Sequence, residues 1–201
     1  MDRKQFLNAA GVSVAAAATG GIIGLAGQAS AATKPSAPLG GPAARAQRAV
    51  FVRNGRNRIG EALMIWGVIP LQIKVSTNDT DGDLFVFEHA DMSKGGPPRH
   101  FHYEQDEWFY VLEGEHVIEV GEERYEPGPG DSVLAPRKVA HVWALVGEGT
   151  GRLIAALQPA GEIEAFFEDL AKLGSTPERK ELSRTFSSHG LELVGPPLSI
   201  E

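Results

Sequence analysis

The stretch Gly95-Gly96-Pro97-Pro98-Arg99-His100-Phe101-His102-Tyr103-Glu104-Gln105-Asp106-Glu107-Trp108-Phe109-Tyr110-Val111-Leu112-Glu113-Gly114 decides how the rest of the chain is read. His100 and His102 lie two apart, so in a strand they share one face, and Glu107 can join them after a short bend. His141 follows after a gap long enough for a hairpin and a return strand. Two or three imidazoles and a carboxylate at these offsets can converge on one divalent metal. Glu107–Leu112 and Glu115–Val120 flank Gly114 as a β-hairpin, so the metal-ligating residue types fall inside a strand pattern rather than a loop.

Outward from this stretch, short apolar runs broken by turn residues continue in both directions. Arg48–Arg53, Ile59–Trp66, Leu71–Ser76 and Leu84–Glu88 read as strands separated by Asn54-Gly55, Gly67 and Asp79-Thr80-Asp81-Gly82. Downstream, Gly128-Pro129-Gly130-Asp131 turns the chain into Ser132–Ala135, and Val142–Val146 and Arg152–Leu157 complete an all-β set. After it, Ile163, Phe166, Phe167, Leu170 and Leu173 recur at helical spacing with Gly174 as a stop. Thr176-Pro177 starts a second helix that Gly190 closes, and Leu191–Leu198 reads as an extended strap over the outer surface.

The strand pattern and the ligand spacing together resemble the cupin family. Its first motif places two histidines two apart, then a glutamate, then a glycine seven further on, met by His100, His102, Glu107 and Gly114. Its second is met by Gly130, Pro136 and His141. Lys138 stands where the second motif has glycine, and Leu145 where it often has asparagine. The resemblance implies an all-β double-stranded β-helix, a jelly-roll barrel over residues 46–160, with two C-terminal α-helices and the strap over 161–201. It also implies that His100, His102, Glu107 and His141 ligate one divalent transition metal. Nitrogen and oxygen donors suit iron, manganese, nickel, cobalt, copper or zinc.

Composition narrows the chemistry further. The chain has 201 residues and no cysteine, which excludes disulfides, zinc ribbons, iron–sulfur clusters and thiol nucleophiles. A net charge of -7 argues against nucleic acid as a partner. Arg3 and Lys4 before an Ala/Gly-rich apolar stretch, with Ala29-Ser30-Ala31 as a cleavage site, read as a twin-arginine-like export signal over residues 1–31. A linker follows over 32–45. The implied location is periplasmic or extracellular, without a stable membrane span after cleavage.

Phe109 and Val111 share the Glu107 face of their strand, Trp143 that of His141, and Phe85 pairs with Phe87 as Met64 does with Trp66. These seven are the candidate substrate pocket, although a small barrel core needs the same residue types. His89, His116 and His189 have no partners at ligand spacing and read as surface or hydrogen-bonded histidines. Resemblance to quercetinase-like monocupins implies a dioxygenase that uses dioxygen on a small phenolic or enolic substrate, with Glu107 as ligand and proton acceptor. A germin- or oxalate-type manganese enzyme, with Arg99 or Lys138 as the needed cation, is a second reading. A non-catalytic small-molecule or metal-binding cupin is a third. Cupin barrels commonly pair, which points to a homodimer.

Overall fold

A computed structural model describes residues 45–67 and 69–200. The expected export signal and all of the expected linker except Arg45 lie outside the described residues. The chain forms strands β1 (Leu63–Ile65), β2 (Ile69–Val75), β3 (Phe85–Met92), β4 (His100–His102), β5 (Asp106–Glu113), β6 (His116–Val120), β7 (Glu123–Tyr125), β8 (Ser132–Ala135), β9 (His141–Leu145) and β10 (Gly151–Gln158). Helices α1 (Ile163–Lys172) and α2 (Arg179–Ser188) follow, and β11 (Leu191–Leu193) ends the set. Two antiparallel sheets result, in the orders β1-β2-β3-β10-β5-β8 and β11-β4-β9-β6-β7. This is the jelly roll with two C-terminal helices.

Period-two alternation builds the core between the sheets. Along β5, Glu107, Phe109 and Val111 are buried while Trp108 and Glu113 are exposed; along β10, Gly151, Leu153, Ala155 and Leu157 are buried. Ile118, Trp143, Leu145 and Leu191 meet them from the other sheet. Leu145 packs where a Cβ on Gly151 would come within 2.5 Å of its side chain, so this glycine is the space the leucine fills. Gly96 has a stricter role, since a Cβ there would lie 1.8 Å from the Trp143 carbonyl oxygen, on the strand that carries His141.

Four expectations change. Arg48–Arg53 is not a strand, because it finds no ladder partner; nearby backbone contacts are single bonds such as Ala46 N to Asp79 O. The run Ile59–Trp66 shortens to Leu63–Ile65, since Gly60 turns the chain at φ 60°. Glu123–Tyr125 forms a short strand on β6 that the polar sequence did not reveal. Leu191–Leu193 is not a strap over the surface but an edge strand that pairs in plane with β4, with Leu191 opposite His102 and Leu193 opposite His100. The apolar stripe of α1 places Ile163, Phe166 and Leu170 inward, and Gly174 at φ 74° ends the helix after its Leu173 cap.

Candidate metal centre and cavity

β4 and β9 place His100 opposite His141 in the second sheet, and β5 brings Glu107 from the first. Backbone bonds hold the intervening bend on both sides: Tyr103 N donates to Gly190 O at 2.9 Å, and Lys138 N to His102 O at 2.7 Å. Lys138 occupies the left-handed region at φ 66°. The turn thus keeps a glycine-like geometry with a lysine in it. Leu145, at the other departure from the motif, is a fully buried core residue.

The four side chains converge. One donor atom from each of His100, His102, Glu107 and His141 lies within 4.8 Å of the others, and all four residues are buried. His141 Nε2 is 3.0 Å and His102 Nε2 3.2 Å from Glu107 Oε2. The His102 and His141 rings are stacked, with an interplanar angle of 2°.

Tautomers show what the cluster lacks. His100 Nδ1 lies 2.7 Å from the Pro98 carbonyl and His141 Nδ1 3.1 Å from that of Val139. A carbonyl only accepts, so both Nδ1 atoms carry the proton and both Nε2 atoms present lone pairs. In the neutral rings, these lone pairs and the Glu107 carboxylate are acceptors facing acceptors. His102 adds two buried ring nitrogens without a hydrogen-bond partner. Burying such groups unpaired costs on the order of several kcal/mol, and a shared cation removes the cost. The residues fit a divalent metal.

Electrostatics agree with that reading. Burial pushes the His100 imidazole down to about 3, reinforced by its histidine neighbours, so the ring is neutral and ready to ligate near neutral pH. Burial pushes the Glu107 carboxyl up, and only a positive partner on the Nε2 side of His102 and His141, a proton in place of the metal, holds the group below the usual carboxylate range. Asp106 and Glu104 do not replace Glu107. Asp106 points outward to Arg137, 2.7 Å away, and Glu104 is exposed.

Beside the cluster lies a cavity lined by Ile65, Trp66, Ile69, Phe87, His89 and Trp143, together with Phe166, Phe167, Leu170 and Phe186 of the two helices. Its interior measures ≈ 50 Å³, and the space including its mouth ≈ 520 Å³. Of the candidate pocket residues, Trp66, Phe87 and Trp143 line it. Phe85, Phe109 and Val111 do not, because they fill the core behind it. Met64 is 43% exposed, since β1 alternation turns Ile65 inward and Met64 out. Neither Arg99 nor Lys138 reaches the wall; Arg99 pairs with Glu119.

Several wall residues escaped the sequence. His89 is 5% exposed, not a surface histidine, with Nδ1 3.1 Å from the Pro70 carbonyl. It shares the face of Phe85 and Phe87, because β3 runs four residues beyond the Glu88 that the sequence pattern suggests as its end, to Met92. His116 is also buried, outside this cavity, and His189 bonds Asp169 at 3.0 Å. Phe166 and Phe186, on α1 and α2, line the cavity, and the Phe186 ring stands edge-on to His100 at 5.4 Å.

Residues 81–157 match the family described as Cupin domain. Among solved structures, an RmlC-like cupin from Shewanella frigidimarina is 25% identical, with 58% of this chain and 96% of that chain covered and a TM-score of 0.47. KdgF from a Halomonas species is 27% identical, covering 45% and 78%, with a TM-score of 0.39. Streptomyces Pac13, a nucleoside dehydratase, is 18% identical, covering 45% and 69%, with a TM-score of 0.38. No curated protein matches the chain.

Proposed function

We propose, from the premise that this chain folds as a cupin jelly roll with the family's domain over residues 81–157, that it is a metal-dependent dioxygenase of small phenolic or enolic compounds. The observation that carries the reading is a buried three-histidine, one-glutamate donor set opening onto an apolar, aromatic cavity with no lysine or arginine on its wall among the described residues. A divalent ion held by His100, His102, Glu107 and His141 would supply Lewis acidity and, if redox-active, one-electron chemistry.

The chain's own groups do the rest. The Glu107 carboxylate accepts the hydroxyl proton of the substrate. Phe87, Trp143, Phe166 and Phe167 exclude water and favour an uncharged ring. The Pro98 and Val139 carbonyls hold the His100 and His141 rings in one orientation. An oxalate-type reading lacks support, because a small dicarboxylate would meet no cation on this wall.

Size limits the substrate. An engineered cavity of about 150 Å³ holds benzene, so the ≈ 50 Å³ interior takes part of a single ring, with the remainder in the mouth. Three-ring flavonols are disfavoured. The test is metal analysis of the purified protein, then oxygen uptake with phenol, catechols, small enols and flavonols. Turnover of single-ring substrates is expected, and Glu107→Gln should abolish it while metal is retained. A fully loaded protein inert to all of these compounds would refute the dioxygenase and leave a binding module.

A further inference from the structure

Two polar groups on the cavity wall are used by neither the metal donors nor the fold. Trp66 Nε1 is buried and has no hydrogen-bond partner, although the Trp66 residue as a whole is half-buried. An indole N–H left without an acceptor costs roughly the free energy of a lost hydrogen bond. Moreover, Trp66 sits at φ 51°, in the left-handed region that a bulky side chain rarely adopts, just before Gly67 at φ 72°. Strained positions of this kind gather at ligand clamps. The turn after β1 thus spends conformational energy to hold this indole on the wall.

His89 supplies the complementary group. Its Nδ1 contacts the Pro70 carbonyl, which only accepts, so the proton is on Nδ1 and Nε2 is a bare acceptor. No protein donor within hydrogen-bond reach satisfies Nε2 among the described residues, and the ring lies on the cavity wall 5.4 Å from that of Trp143. The residues that carry this donor and this acceptor both line the one cavity, whose other polar wall groups are His100, His102 and Glu107 of the metal centre.

From this we infer that Trp66 and His89 are the specificity-determining pair of the cavity, reading a second hydroxyl on the substrate besides the one that meets Glu107. A hydroxyl oxygen accepts from Trp66 Nε1–H, and its proton is donated to His89 Nε2. Neither ether nor methyl answers both groups. The substrate class narrows from phenols or enols in general to small neutral compounds with two hydroxyls, such as single-ring diphenols. This rests on the reading of the cavity as the substrate site.

The test uses metal-loaded protein under anaerobic conditions, so that binding is measured without turnover. Calorimetric affinities are compared for phenol, catechol, resorcinol and hydroquinone with the wild type, Trp66→Phe and His89→Phe. At least one diphenol should bind the wild type about tenfold more tightly than phenol, the size of one well-placed hydrogen bond. That ratio should fall to about one in either variant. Phenol binding as tightly as every diphenol, or a ratio unchanged by Trp66→Phe, overturns the assignment while the substrate site stands. If no phenol binds the loaded wild type, the phenolic reading of the site fails and this inference with it. Trp66→Phe alters a half-buried residue and keeps the test decisive should His89→Phe not fold.

Discussion

His89→Phe tests the cavity wall through acid stability. Burial holds the His89 imidazole down at about 4, against an ordinary value of 6.5. As pH falls, the unfolded chain binds a proton first and the folded one resists, so stability is full above about 6.5 and is lost progressively down to about 4. Glu107 is the charged group that opposes this, and it is outweighed by burial. Between about pH 7.5 and about pH 4.5 the linkage amounts to about 2.5 kcal/mol, since each unit of separation carries about 1.4 kcal/mol.

The phenylalanine variant keeps a ring of similar size but cannot titrate. It also leaves the Pro70 carbonyl without its Nδ1–H donor, which costs about 1 kcal/mol at every pH. Urea unfolding of chelator-treated protein at the two pH values separates these effects. His89→Phe should be the less stable protein at the higher pH and lose about 2.5 kcal/mol less on acidification. His100 and His116, also lowered by burial, titrate in both proteins and cancel. Parallel acid losses in wild type and variant would refute the placement of a neutral, buried His89.

Three other outcomes follow from the same geometry. Gly96→Ala places a Cβ 1.8 Å from the Trp143 carbonyl, so it should cost about 3 kcal/mol or more and weaken metal retention, read by urea midpoint and metal analysis. Lys138→Gly relieves a left-handed lysine and should add about 1 kcal/mol, which scanning calorimetry would show as a midpoint roughly 2–4 °C higher. Chelation of the metal-loaded protein should lower thermal stability, by about 2.7 kcal/mol if the free metal had stood at about 100 times its dissociation constant. The same chelator should have no effect on a variant with His102 and His141 both replaced by alanine.

The buried donor cluster was legible because it depends on local spacing. His100 and His102 share a strand face by period-two geometry, and Glu107 and His141 sit at offsets set by a bend and a hairpin. Turn chemistry and alternation likewise reveal most strands, where each glycine or proline acts on its immediate neighbours. At Lys138 the side chain departs from the motif but the backbone geometry persists, since pairing of the flanking strands and the bond to His102 O impose the turn from outside.

By itself, the sequence determined the all-β class, the helical tail and which four side chains converge in a cluster suited to a divalent metal. Only tertiary structure decided the cavity. Trp66, His89, Phe166 and Phe186 come from β1's turn, β3 and two helices far apart in the chain, and what brings them together is packing against a shared core. The same contacts put Phe109 and Val111 behind the wall although they share Glu107's face. Periodicity states which face a residue occupies, but it carries no information about how far along that face the space between the sheets remains unfilled.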